Sequence, residues 1–299
     1  MNIVITGGTG FIGIALCRHY LQKHQDAVTL WVLSRQSSEQ VKQLCGDAVL
    51  AINHMDALNQ PIDIIINLAG EPIADKRWSA AQKQRLLASR LNITQQLIDY
   101  IACAKHKPHC LISGSAIGYY GDQGSSPLTE DSPPQDEFTH QLCAQWEACA
   151  LQAQQYDVRV CLLRTGLVVG PDGGFLAKMR LPFQLGLGGR IGSGQQIMSW
   201  IHRDDLLAII EFLVNQEQLQ GVFNGTAPNP VSNQEFSKTL ARLLHRPAVM
   251  PVFSWTLKLA LGEMSQLLLT GQKVLPARLQ QAGFRFTYPV LADALSASL

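Results

Sequence analysis

The sequence predicts an α/β fold: a doubly wound, mainly parallel sheet with a smaller C-terminal substrate lobe. Three observations predict it. Residues 2–5 are a short β-branched run that reads as a buried strand, and it leads straight into glycines at 7, 10 and 13. Apolar strand-like runs then alternate with helical patterns as far as Arg164, which implies right-handed βαβ crossovers. Beyond Gly170 this alternation gives way to glycine-rich loops and helices.

Each element follows in order. The first helix runs through Leu16 and Tyr20, and residues 28–33 form a second strand. Residues 49–52 make a short third strand and residues 62–68 a fourth, which ends at Ala69-Gly70. Residues 79–104 carry a long helical pattern with Leu86, Leu87, Ile93, Leu97 and Ile101 on its apolar side. A fifth strand at 109–113, a helix at 136–155 and a sixth strand at 158–164 complete the alternation. Further helices are expected at 204–215 and 234–244, a returning strand at 221–224, and a helical tail with loops from Val252. Residues 1–170 therefore read as a dinucleotide-binding domain. Residues 171–299 read as the substrate lobe, with about 200–225 packing back onto the first domain.

Composition sets bounds. The 299 residues are 46% hydrophobic and 16% charged, ordinary values for a globular chain with a sizeable core. A formal charge of +1 gives no electrostatic case for nucleic acid or an acidic membrane surface. The seven cysteines are odd in number and contain no C-x-x-C pair, so they read as reduced structural thiols. Without a signal-peptide pattern or a long apolar run, the expected location is cytoplasmic. The eight histidines form no cluster and the carboxylates no ligand spacing, so no metal is implied; a homodimer is left open.

The glycine turn between a strand and a helix is the Rossmann-like feature. It lets backbone N–H groups approach a pyrophosphate at a helix N-terminus, where the helix dipole favours negative charge. Gly7, Thr9, Gly10, Phe11, Ile12 and Gly13 are therefore candidate cofactor contacts. A site selecting NAD would place an acid at the end of the second strand, about 20 residues on, to hold the ribose hydroxyl. This chain has Ser34-Arg35 there and no acid before Glu39. An arginine fork pairs with a 2′-phosphate that a carboxylate would repel, so the expected cofactor is NADP(H).

The chain resembles the extended short-chain dehydrogenase/reductase family. The resemblance rests on Thr6-Gly-Gly-Thr-Gly-Phe-Ile-Gly13, Asp56, Asn67-Leu-Ala-Gly70, Ser113-Gly-Ser115, Arg164-Thr-Gly-Leu-Val-Val-Gly170, Trp200-Ile-His-Arg-Asp-Asp205 and Gly221-Val-Phe-Asn224. More narrowly it resembles the atypical "epimerase family" branch of YfcH type. That likeness rests on Asn67-Leu-Ala-Gly-Glu-Pro-Ile73, Arg77-Trp78, Ser89-Arg90, Ser115-Ala-Ile-Gly-Tyr-Tyr-Gly121, Trp146-Glu147 and Gly283-Phe-Arg-Phe286. The resemblance implies that Leu68, Ala69 and Gly70 pass along the dinucleotide and that Ser115 sits beside the nicotinamide. It further implies that Asn92 supports the serine's surroundings, and that the turn with Gly166 and Leu167 lines the nicotinamide side. Gly186 to His202 would then face the substrate.

Active members of that family use a tyrosine four residues before a lysine, which lowers the phenol's pKa for proton transfer. None of the six tyrosines here has a lysine at that spacing. Counting back from Glu147 puts Thr139 and Cys143 at the two positions. Three readings stay open: Tyr119 or Tyr120 supplies a replacement phenol, His202 acts as a substrate-side acid or base, or the protein binds NADPH without turnover. In the first, Ser115 polarises the oxygen of a small polar carbonyl or alcohol, with a nucleotide-linked sugar as one such substrate. Arg90 and Arg190 are candidate anchors for a substrate anion, and the glycine-rich run 186–194 reads as a mobile lid.

Overall fold

The computed structural model describes residues 1–299, leaving aside the side chain of Asp26. Strand β1 (Asn2–Thr6) feeds helix α1 (Phe11–His24), followed by β2 (Thr29–Leu33), α2 (Ser38–Cys45) and β3 (Leu50–Ile52). Then come β4 (Ile64–Asn67), α3 (Ala80–Cys103), β5 (Cys110–Ala116), β6 (Pro127–Leu128), α4 (Phe138–Leu151) and β7 (Arg159–Thr165). Next are β8 (Leu167–Val169), α5 (Gly174–Gln184), β9 (Ile197–Met198), β10 (Trp200–His202), α6 (Arg203–Asn215) and β11 (Gly221–Gly225). The chain ends with β12 (Val231–Ser232), α7 (Asn233–Leu243), α8 (Ser254–Leu261), α9 (Gln266–Leu269), β13 (Lys273–Val274), α10 (Ala277–Gln281) and α11 (Leu291–Ser296).

Seven strands form one parallel, Rossmann-like sheet in the order β11-β7-β5-β4-β1-β2-β3. The order reverses between β1 and β4, and ligands of such sheets sit beyond the carboxyl ends of the strands at that switch point. Side chains alternate across the sheet. Ile3, Ile5, Ile64, Ile66 and Ile112 face one core with Leu16 of α1, Val41 of α2 and Ile209 of α6. Val4, Ile65, Leu111 and Leu162 face the other with Leu97, Ile98 and Ile101 of α3. With both faces covered, the strands read as continuous apolar runs rather than alternating ones.

The expected strands are present within two residues of their predicted ends, except that β5 runs three residues further, to Ala116; β11 joins the main sheet beside β7. Helix α4 stops at Leu151 and continues as a 3-10 turn over Gln152–Tyr156. The expectations contain no helix between β2 and β3, yet α2 is there. It buries only Val41 and Cys45, too few for a periodic signal, and is started by a reciprocal capping box between Ser37 and Gln40. On the back of the sheet, Glu211 of α6 accepts hydrogen bonds from Lys23 (2.7 Å) and from His19 and His24 (3.0 Å each) of α1. Burial works against the Glu211 carboxylate, but these bonds more than offset it and hold the carboxyl down to about 2.

Outside the main sheet, two short parallel pairs, β6 with β13 and β8 with β10, join later segments of the chain to earlier ones. No helix among the described residues is long and apolar enough to cross a membrane. Among the same residues, no cluster of His, Cys, Asp and Glu could hold a metal ion.

Candidate functional site: a glycine turn beside a buried ion pair

The three glycines of the first turn do different work. Gly7 sits at φ +67°, and a Cβ there would lie 2.6 Å from the Leu68 carbonyl oxygen. A Cβ on Gly13 would run into the Gly7 carbonyl, so this glycine lets α1 dock onto the turn. Gly10 differs. It is exposed, and a Cβ would meet only the Gly7 carbonyl oxygen, at 3.3 Å. It is also the N-cap of α1, with no side chain capping the helix and no acid in the first turn. The first-turn N–H groups and the helix dipole therefore present an open anion site above a position that a side chain would fill. Ile12 packs toward the core, and Thr9 is half-buried. The Phe11 ring turns away, against Gly173 and Gly174 and 5.4 Å from the Arg203 guanidinium, so its contribution to an anion is its backbone N–H.

At the end of β2, Ser34 Oγ accepts from the Gln36 amide at 3.1 Å. Arg35 is exposed, with no hydrogen bond or ion pair among the described residues. At the end of β4, Thr6 Oγ1 donates to Asn67 Oδ1 (2.6 Å) and accepts from the Ala69 amide (3.2 Å). Asn67 Nδ2 and Trp146 Nε1 both donate to Thr94 Oγ1, at 2.9 and 3.1 Å. This buried network fixes the switch point to α3 and α4 and shapes the path along Leu68, Ala69 and Gly70. Asn92 takes no part in it. The expected support from Asn92 is corrected: it lies exposed on α3, and Thr94, two residues on, does that work.

Ser115 closes β5 and donates its hydroxyl proton to Glu147 Oε1 at 2.6 Å. Arg164 of β7 grips the same carboxylate bidentately, from Nε and Nη2 at 2.8 Å each. Both partners are buried. Burial by itself would lower the Arg164 pKa, but its hydrogen bond and charge contact with Glu147 more than reverse this. The network continues outward: Arg164 Nη1 donates to Tyr120 Oη (3.1 Å), and Tyr120 donates to Asn224 Oδ1 (2.7 Å). Glu130 Oε1 accepts from the Asn224 amide at 3.0 Å.

This geometry corrects the expectation for Tyr120. Its ring is fully buried, its hydroxyl is committed on both sides, and burial pushes the phenol's pKa up. It is a structural link between β7 and β11. Tyr119 is half-buried, with its ring 3.3 Å from the Arg164 guanidinium and no hydrogen bond on its hydroxyl among the described residues. Thr139 of α4 packs against Gly118, and Cys143, one turn on, is buried beside Ser115 and Ala116. Burial, aided by Glu147, pushes the Cys143 thiol up to about 11, so it is neutral at physiological pH.

Comparison with known proteins places this architecture. Residues 3–224 match the model of the NAD dependent epimerase/dehydratase family, and residues 252–298 match a domain of unknown function, DUF1731. The chain belongs to that epimerase/dehydratase family. It is 40% identical over 302 residues to the chloroplastic epimerase family protein SDR39U1 homolog of Arabidopsis thaliana, covering 99% of this chain and 86% of that one. The structure of human epimerase family protein SDR39U1 (isoform 2) with NADPH superposes with a TM-score of 0.87 at 34% identity, over 99% of this chain and 98% of that one. A nucleoside-diphosphate sugar epimerase from Corynebacterium glutamicum gives 0.79 at 28% identity, over 100% of this chain but 58% of that one.

Within this family fold, three other expectations are corrected by their surroundings. His202 is not a cleft acid or base. It is buried, caps α6 by accepting from the Asp204 amide at 3.2 Å, and stacks 4.0 Å from Tyr288. Burial lowers its pKa and keeps it neutral. The run 186–194 is tied down rather than free. Val252 N donates to the Arg190 carbonyl (2.9 Å), Gly192 N to the Val252 carbonyl (2.8 Å), and Ile191 N to Asn233 Oδ1 (2.7 Å). Arg190 itself is exposed and donates to the Ser193 carbonyl, beside a shallow depression lined by Gln234 and Lys238.

Gly166 owes its missing side chain to the Ser199 carbonyl, which a Cβ would strike, while Leu167 is half-buried in β8. A larger depression, of about 920 Å³, lies at the opposite, amino-terminal edge of the sheet. Its cations are already engaged: Arg159 and Lys107 both donate to carbonyls that end helices. Sequence reasoning also missed Arg164, Glu130 and Asn224 as members of the site. The signal was present for one of them, since an arginine inside the apolar run 160–163 and Thr165 requires a buried anion as partner.

Proposed function

We propose that this chain binds NADP(H) and acts as an oxidoreductase or epimerase on a small polar carbonyl or alcohol. The observation that carries the cofactor is the uncapped first turn of α1 over exposed Gly10, flanked by uncommitted Arg35 with no acid at the end of β2. Gly10 and the N–H groups of Phe11 and Ile12 would hold the diphosphate, and Ser34 and Arg35 the 2′-phosphate. The NADPH in the human relative supports this reading, and the Corynebacterium relative supports a sugar nucleotide as the substrate class. When bound, the dinucleotide supplies or accepts hydride. The chain's own part is to orient the substrate and move a proton. For that step Tyr119 is the phenol whose hydroxyl is uncommitted, while Ser115 offers its lone pairs.

Arg35→Asp is expected to weaken NADPH binding at least tenfold, about 1.4 kcal/mol, and NADH binding far less. Fluorescence titration of both cofactors measures this, and equal losses would remove the 2′-phosphate assignment.

A second reading, NADPH binding without turnover, is favoured by one observation. The only proton of Ser115 is held by Glu147 and the hydroxyl of Tyr120 by Asn224, which leaves Tyr119 as the free phenol of this site among the described residues. Tyr119→Phe separates the two. On any carbonyl or alcohol turned over by the wild type, it should lower turnover roughly a hundredfold, as loss of an acid/base does. Unchanged turnover would exclude Tyr119, and no turnover across a broad panel would leave the binding role.

A further inference from the structure

Arg90 and Arg164 are treated differently. Arg164 spends its charge on Glu147 in a buried bidentate pair. Arg90 of α3 has no carboxylate within ion-pair distance among the described residues. Its Nη1 donates to the Leu86 carbonyl (2.9 Å) and its Nη2 to the Glu71 carbonyl (3.2 Å), leaving three of five N–H donors unused. Glu71, the acid whose charge Arg90 feels, turns its carboxylate to Gln82 Nε2 at 2.9 Å and lies 4.0 Å from Lys76.

The guanidinium lies over the Trp146 ring, 5.2 Å from its centroid, and against Gly70, where a Cβ would be 3.0 Å from Arg90 Cζ. Gly70 therefore leaves room for a cation at the carboxyl end of β4, on the ligand side of the sheet. The charge also reaches Cys143, one turn before Trp146 and Glu147 on α4, whose thiol it pulls down against the stronger effect of burial. A half-buried cation met only by carbonyl dipoles and a π face is poised to take an anion.

We infer that Arg90 is a further anion-binding element of the site: its unpaired guanidinium, laid over Trp146 between Gly70 and Cys143, binds a carboxylate or phosphate oxygen of the ligand. It provides positive charge beside Cys143, which is itself neutral and in contact with Ser115. The anionic oxygen belongs either to the dinucleotide's diphosphate or to the second ligand. The inference rests on the cleft being the ligand site, as proposed above, but not on which cofactor fills it.

The test has two arms and uses the full chain. The first is NADPH affinity of the wild type, Arg90→Gln and Arg90→Lys. The second is titration of acetate and of inorganic phosphate into cofactor-free and NADPH-loaded protein, read by tryptophan emission, to which Trp146 under the guanidinium responds. If the diphosphate is the partner, Arg90→Gln weakens NADPH at least tenfold, while Arg90→Lys, which keeps the charge but not the planar fork, loses less. If the second ligand carries the anion, NADPH affinity is unchanged. The wild type then shows a saturable anion response that Arg90→Gln loses and Arg90→Lys keeps. Arg90→Gln matching the wild type in both arms would overturn the inference, as would Arg90→Lys behaving like Arg90→Gln. Should Arg90→Gln not fold, the wild-type titration decides: a saturable acetate or phosphate response in the cofactor-free protein is expected, and its absence overturns the inference. Failure of the wild type to bind NADPH would count against the cofactor reading only, since the cofactor-free titration still reads the anion site.

Discussion

Glu147→Ala is expected to cost about 3–5 kcal/mol of folding stability, the usual penalty for leaving one member of a buried ion pair without its partner. The variant strands the Arg164 guanidinium and removes the acceptor of Ser115, both in a region closed to water. Urea unfolding followed by circular dichroism measures it, and a loss below about 1 kcal/mol would show the pair to be solvated and marginal. The double change Glu147→Leu with Arg164→Met should recover most of the loss, because apolar residues of similar size carry no desolvation penalty. That variant should nevertheless lose the orientation of Ser115 and Tyr119, since both are positioned by the charges removed.

Gly10→Val is expected to weaken NADPH binding about a hundredfold, roughly 2.7 kcal/mol, while the protein still folds. The structure has room for a side chain there in the absence of ligand, with a single contact at 3.3 Å, but that side chain would occupy the space over the uncapped helix N-terminus. Gly13→Val should instead lose both binding and stability, because its Cβ collides with the Gly7 carbonyl and lifts α1 from the turn. Paired isothermal titration and thermal melts distinguish the two. Equal loss of stability in both variants would deny Gly10 a role specific to the ligand.

Much of the fold was legible before the structure, for a physical reason. A parallel sheet covered on both faces demands unbroken apolar strands, and these stand out against amphipathic helices such as α3. What escaped was short or capped locally. Helix α2 buries two side chains and is held by a capping box, so it leaves almost no periodic trace. The strands β8 and β10 are three residues each and exist because they pair with one another.

The candidate site divides along the same line. The glycine turn, Arg35 and the absence of a Tyr-x-x-x-Lys pair are local facts, and the sequence by itself determined them. A left-handed φ and a missing acid are properties of a few adjacent residues. The fate of each polar side chain was decided only by tertiary structure. Tyr120 and Tyr119 are adjacent, yet one is locked between Arg164 and Asn224, 104 residues away from its acceptor, and the other keeps its hydroxyl free. His202 became a helix cap, Thr94 took the place expected of Asn92, and Arg90 was left without an anion. A hydrogen bond or an ion pair is worth what its partner and its burial make it, and both are set by chain segments far apart in sequence.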